Sequence, residues 1–157
     1  MIKKILEFLL IDNVLKKDVA FLKKITLFEG LSDRSLAKVS LIVFKKIYLA
    51  GEKIYETGAH ANIIYIIKSG KVKLISQNFN KIIEHGNFFG ELSLIANCRY
   101  NCNAIALKES ELYFIYRTKF EDMVESNNKI GFAVMKNLAF MLAKNITISN
   151  CNKVHMK

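Results

Sequence analysis

Apolar positions change their spacing twice along the chain, and each change marks a change of element. From Met1 to about Phe44 they recur at helical intervals, interrupted at Phe28-Glu29-Gly30-Leu31, where Gly30 can supply a turn and Ser32 or Asp33 an N-cap. This predicts helices on both sides of Gly30. From Lys45 to Tyr116 the pattern becomes short runs of Ile, Val, Tyr and Phe separated by Gly, Asn and Ser, with strands expected at 47–49, 53–55, 63–67, 72–75, 81–84, 88–89, 103–107 and 112–116. After Tyr116 helical spacing returns. Thr118-Lys119-Phe120-Glu121 has the form of a capping box, in which hydroxyl and carboxylate satisfy amides that a helix start leaves unpaired. That helix is expected to end near Ser126-Asn127-Asn128, and a longer one to run from about Lys129 to Ile148. Short strands at this interval suggest a sandwich or barrel. The expected fold is therefore α+β and mainly β: an antiparallel, jelly-roll-like β-roll over 45–117, flanked by N-terminal and C-terminal helices. The expected boundaries are an amphipathic helix at 1–19, a main domain at 20–148 ending in helices over 118–148, and a tail at 149–157.

Length and composition narrow the functional classes. A chain of 157 residues makes one domain, which buries roughly 68 to 70% of the surface its unfolded chain exposes, so neither disulfides nor metal are required for stability. Three cysteines at unpatterned spacing suit a reducing compartment, and a cytoplasmic location is expected. Lys and Arg outnumber Asp and Glu 24 to 14, but the excess is spread along the chain rather than gathered on one element, as a nucleic-acid partner would require. In the segment Met1 to Leu15, Lys3, Lys4, Glu7 and Asp12 interrupt the apolar residues, so no run reaches the roughly 20 that a spanning helix needs.

No residues nominate an enzyme. His60, His85 and His155 are isolated, and neither HExxH, GxSxG nor CxxC occurs. Cys98 and Cys102 lie four apart, but only distant Cys151 and the histidines could complete a zinc site, so neither metal nor cofactor is expected. The informative segment is Gly86-Asn87-Phe88-Phe89-Gly90-Glu91-Leu92-Ser93-Leu94-Ile95, where a Gly-aromatic turn runs into a helical pattern. A helix start after glycine offers free amides to an anion, and Gly90 lets the backbone approach a phosphate. Glu91 can accept hydrogen bonds from sugar hydroxyls and Arg99 can add positive charge. The same ten residues equally describe a loop that simply enters a helix.

Further pieces surround that segment: Phe21-Leu22-Lys23-Lys24-Ile25 with Leu27-Phe28, then Gly51-Glu52, Gly58 and Tyr65-Ile66-Ile67-Lys68-Ser69-Gly70-Lys71-Val72, followed by the cassette Phe89 to Leu94. In this order and spacing the chain resembles, over roughly residues 20–148, the cyclic nucleotide-binding domains of catabolite-activator-type regulators, kinase regulatory subunits and gated channels. The resemblance implies that Glu91 takes the ribose 2'-hydroxyl of cyclic AMP or cyclic GMP, and that amides around Gly90, Leu92 and Ser93 face the phosphate-sugar unit. In the family a Pro-Arg pair follows, and its Arg pairs with the phosphate. Here Asn97-Cys98-Arg99-Tyr100-Asn101-Cys102 lacks the Pro and sets Tyr100 at the Arg position, with Arg99 one residue early. Either the loop is one residue tighter and Arg99 still reaches, or the phosphate arginine is lost. Arg99, Tyr100 and Asn101 all stand as candidates.

Val134, Leu138, Met141, Asn145 and Ile148 are spaced 4, 3, 4, 3, the seam of a parallel coiled coil with one register-setting Asn, which predicts a homodimer. The other reading packs this face on the roll. The resemblance makes Met141 and Asn145 base-contact candidates. About nine residues follow Ile148, too few for a helix-turn-helix domain, so direct DNA binding is not expected. The leading expectation is a non-enzymatic cyclic nucleotide sensor that signals to a downstream protein through its terminal helices. The alternatives are an interaction domain of the same fold without nucleotide binding and, more remotely, a membrane-surface adaptor using Lys3, Lys4 and the first helix.

Overall fold

The computed structural model describes residues 13–154, with side chains over 13–146. Lys3 and Lys4 and most of the expected 1–19 helix lie outside the described residues. Helix α1, described over 13–22, runs past the expected boundary at 19. A 3₁₀ turn at Thr26–Phe28 leads through Gly30 to α2, Asp33–Ser40. Of the two candidate caps it is Ser32 whose hydroxyl accepts a hydrogen bond, from the Ser35 amide at 3.3 Å.

Ten antiparallel strands follow: β1 Phe44–Tyr48, β2 Lys53–Tyr55, β3 His60–Ala61, β4 Ile63–Ser69, β5 Lys71–Ile75, β6 Asn80–Glu84, β7 Phe88–Phe89, β8 Cys98–Arg99, β9 Asn103–Ala106 and β10 Ser110–Tyr116. They form two four-stranded sheets, β1-β10-β4-β7 and β2-β9-β5-β6, and a small β3-β8 ribbon. The result is a mainly-β roll with flanking helices, as the periodicity predicts. The ribbon is an addition: unlike the Phe88–Phe89 pair, His60–Ala61 and Cys98–Arg99 contain no run of β-branched or aromatic residues to mark them.

The run Ile63 to Ile67 is apolar without alternating because β4 is covered on both faces. Ile64 and Ile66 point outward into a core with Phe21, Leu22, Ile25, Leu36, Phe120, Val134 and Leu138 from the helices. Tyr65 and Ile67 point into the roll, against Val72, Leu74, Phe89, Ala104, Ala106 and Leu112. Fully burying each such isoleucine is worth about 1.5–3 kcal/mol, so one strand anchors both cores. Where β4 turns into β5, Gly70 has φ +100°, and a β-carbon there would collide with Ser110, whose own Cα would lie 2.5 Å away. The Ser110 hydroxyl secures that turn by accepting from the Lys71 amide at 3.1 Å and donating to the Lys108 carbonyl at 2.8 Å.

A polar cluster around the buried Asp18 and Tyr113 ties α1 to the sheet. Asp18 accepts from Lys45 Nζ at 2.7 and 2.9 Å and from the Tyr113 hydroxyl at 2.6 Å. At the other end of the chain, α3 spans Arg117–Ser126 and α4 Asn128–Val154. The expected capping box does not form. The helix starts one residue earlier, Tyr116 is its N-cap without a side-chain bond, and Glu121 approaches Arg117 Nε at 3.8 Å instead. Residues 149–154, expected as tail, continue α4. The expected coiled-coil seam is corrected in its first half: Val134 and Leu138 are fully buried against the body, Met141 is half-buried and Asn145 exposed, while Ile148 lies outside the described side chains. The Asn137 side-chain amide donates to the carbonyls of Leu27 at 3.1 Å and Glu29 at 2.9 Å, clamping α4 to the N-terminal turn. No helix among the described residues is long and apolar enough to cross a membrane.

Candidate functional site

Strand β7 sets Phe89 opposite Tyr65 on the inner face of the roll. The chain then turns through Gly90 at φ +77°, where a β-carbon would come within 3.0 Å of the Ile63 carbonyl oxygen and 3.4 Å of the Tyr100 ring. Only glycine adopts this conformation here without strain. The expected helix proves to be one 3₁₀ turn, Glu91–Leu94, too short for a helix dipole to carry anion binding. The Ser93 amide is already committed to the Gly90 carbonyl at 3.0 Å. Its hydroxyl is not: Ser93 is fully buried, and its Oγ has no hydrogen-bond partner among the described residues. An unsatisfied buried hydroxyl costs about 1–3 kcal/mol, which a ligand atom can recover.

This turn forms one wall of a cavity of about 320 Å³ inside the roll. Phe89, Gly90, Glu91, Leu92, Ser93, Arg99, Tyr100 and Asn101 all line it, so eight of the ten residues nominated from the sequence converge. Glu91 is half-buried, and Leu92 and Asn101 are exposed at the edge. Met141 and Asn145, on α4, are not among the lining residues. The sequence reading missed the opposite wall: Tyr55, Leu74, Lys81 and Ile83 from β2, β5 and β6, with Cys98 and Cys102 beside them.

The Arg99–Tyr100 register has a definite geometry. Arg99 is exposed on β8, and its Nη1 donates to the Gly58 carbonyl at 2.6 Å. Tyr100 is buried, its ring stacked on Tyr55 at 3.7 Å and 8°, and its hydroxyl donates to the Ile63 carbonyl at 2.8 Å. Burial, opposed by the bond to Ile63, leaves its phenol pushed up to about 12, so Tyr100 is neutral at ordinary pH and brings no charge to the cavity. Burial also raises the phenols of Tyr55 and Tyr65 and the Cys102 thiol, whose sulfur lies 3.7 Å from the Tyr55 hydroxyl. The cavity is thus an aromatic-walled chamber whose lining includes the buried Ser93 and the half-buried Glu91, of the size and mixed polarity typical of small-molecule sites.

The cassette also touches the helical layer. Leu94, next to Ser93, is buried in the helix-side core with Phe120 and Met123, and the Ala96 carbonyl accepts from Arg117 Nη1 at 3.0 Å at the start of α3.

Comparison with known proteins finds that the profile of the cyclic nucleotide-binding domain matches residues 45–127. The cyclic AMP receptor protein of Thermus thermophilus is 26% identical over 126 residues, covering 76% of this chain and 56% of that protein. The chain spans about a fifth of other curated relatives. Among solved structures, the Thermus thermophilus catabolite activator protein superposes with a TM-score of 0.73 at 23% identity, covering 83% of this chain and 62% of that one. The regulatory domain of Toxoplasma gondii PKA, crystallised with cAMP, gives 0.71 at 20% identity, covering 83% and 50%. At these identities the two structures speak for the fold.

Proposed function

Because the chain belongs to the cyclic nucleotide-binding domain family, we propose that its cavity binds a cyclic purine nucleotide, cyclic AMP or cyclic GMP, and that the chain is a regulatory module rather than a catalyst. The observation that carries this is the orphaned Ser93 hydroxyl, buried beside Gly90 and Glu91 in a chamber of ligand size. In this reading Ser93 donates to a phosphate oxygen, Glu91 accepts from the ribose 2'-hydroxyl, and the aromatic wall covers the apolar faces of sugar and base. Ligand capture at Ser93 pulls on Leu94 and on the Ala96 to Arg117 bond, so α3 and α4 report occupancy to a downstream protein. The module works in the cytoplasm, where the free thiols of Cys98 and Cys102 stay reduced. Calorimetric titration with both nucleotides tests the reading. Saturable heat with one-to-one stoichiometry supports it; no heat and no melting shift at millimolar nucleotide refutes it. The second reading, an interaction domain without nucleotide, draws on Tyr100, whose stacked ring stands where the family places its phosphate arginine.

The homodimer belongs to the same proposal, on a different face of α4. Phe132 and Phe140, 73% and 72% exposed, share that outer face with Ala139, Ala143 and Ile146. A second copy covers it, and light scattering should show a dimer that Phe140→Asp converts to monomer. A monomeric wild type at high concentration removes this part.

A further inference from the structure

Strands β5 and β6 form a hairpin in which Val72 lies directly opposite Ile83 and Leu74 directly opposite Lys81. Direct cross-strand partners present their side chains on the same face of the sheet. Val72, Leu74 and Ile83 are buried in the interior core of the roll, so Lys81 stands on the inner face too, and it lines the cavity. Its neighbour Ile82 takes the outer face and is 53% exposed. A half-buried strand normally places its isoleucine inside and its lysine outside; here the two are exchanged at the cavity. Two other lysines of this sheet are neutralised by acids, Lys71 by Glu84 at 2.6 Å and Lys53 by Glu56, while Lys73, opposite Ile82, stands on the outer face. The Lys81 ammonium has no ion-pair or hydrogen-bond partner among the described residues.

The other groups available for an anion are engaged or neutral. Arg99 bonds to the Gly58 carbonyl, and Tyr100 is an uncharged phenol held by Ile63 and Tyr55. We propose that Lys81, reaching in from the wall opposite the Gly90–Ser93 turn, is the cation that pairs with the ligand's phosphate, replacing an arginine that this chain has displaced. The assignment rests on the nucleotide reading above. It makes the phosphate site bipartite, with the Ser93 hydroxyl on one wall and a mobile ammonium on the other. An ammonium is a compact point charge on a flexible stem, so this pairing lacks the fixed fork of a guanidinium and is the more easily screened by salt.

Titration of the full chain and its variants with cyclic AMP and cyclic GMP, at low and high salt, tests it. Lys81→Gln should weaken both nucleotides alike by about 10- to 150-fold, the range for a lost hydrogen bond to a charged group. It should also flatten the salt dependence and leave unliganded melting unchanged, since the side chain is exposed. Lys81→Arg should retain binding. Unaltered affinity in Lys81→Gln overturns the proposal while the nucleotide reading stands. So does a loss confined to one nucleotide, which would assign Lys81 to the base, or a loss carried by Arg99→Gln instead. Wild-type protein that binds neither nucleotide overturns the nucleotide reading and this assignment with it.

Discussion

Replacing Ser93 by alanine should move stability and affinity in opposite directions. The hydroxyl is fully buried and has no partner among the described residues, so the unliganded protein carries a desolvation cost of about 1–3 kcal/mol that alanine removes. Against this stands the dispersion of one oxygen, a few contacts of about 0.1–0.2 kcal/mol each. The net gain is about 1 kcal/mol, which for a chain of this size raises the unliganded melting temperature by about 2–4 °C. With nucleotide present, the variant loses a bond to a charged oxygen, and affinity falls by about 10- to 150-fold. Thermal unfolding followed by circular dichroism, without and with cyclic AMP, reads both quantities in one experiment. A variant that melts lower without ligand would show that the hydroxyl already has a partner. One that melts higher and binds as well as wild type would show that the hydroxyl is idle, and would remove Ser93 from the site.

Glu91→Gln should weaken nucleotide by about 10- to 150-fold with little change in unliganded melting, because the carboxylate is only half-buried; unchanged calorimetric affinity would exclude it from ribose binding. Tyr48, Tyr55, Tyr65, Tyr100 and Tyr113 all have phenols raised above the ordinary 10.0, with burial the leading cause. The folded state therefore holds protons that the unfolded chain releases near pH 10. Their contribution to stability is complete below pH 10 and is lost as pH rises above it, so alkaline difference spectra should show most tyrosines ionising only as the protein unfolds. Gly70→Ala should destabilise by more than about 1 kcal/mol, since it combines a positive φ with a clash against Ser110; chemical denaturation at unchanged m would confirm it, and a neutral result would contradict the turn geometry.

The roll was legible because its turns carry glycines and its strands are short apolar runs, and the cassette because Gly90, Glu91 and Ser93 are adjacent in sequence. The opposite wall was not, since Tyr55, Leu74 and Lys81 come from three separate strands, and a lysine in a strand reads as outward-facing. The seam on α4 misled for a different reason. That helix is apolar on two faces, with Val134 and Leu138 on one and Phe132 and Phe140 on the other, and periodicity alone does not say which meets the body. Arg99 and Tyr100 needed the register of β8 against β3, a ribbon whose residues His60, Ala61, Cys98 and Arg99 form no apolar run.

The clamp between Asn137 and the carbonyls of Leu27 and Glu29 joins points 110 and 108 residues apart, and the core beneath it likewise mixes Phe21 and Ile25 with Val134 and Leu138. During synthesis, the N-terminal helices leave the ribosome with apolar faces whose partners do not yet exist. At about 5–20 residues per second they wait on the order of 5–20 s for α4 to emerge. The roll, whose interior is supplied by residues 48–114, can close before then and offer Ile64, Ile66, Tyr113 and Ile115 as interim cover. Birth order thus lets the interior of the roll close before the helical layer that packs on it is complete.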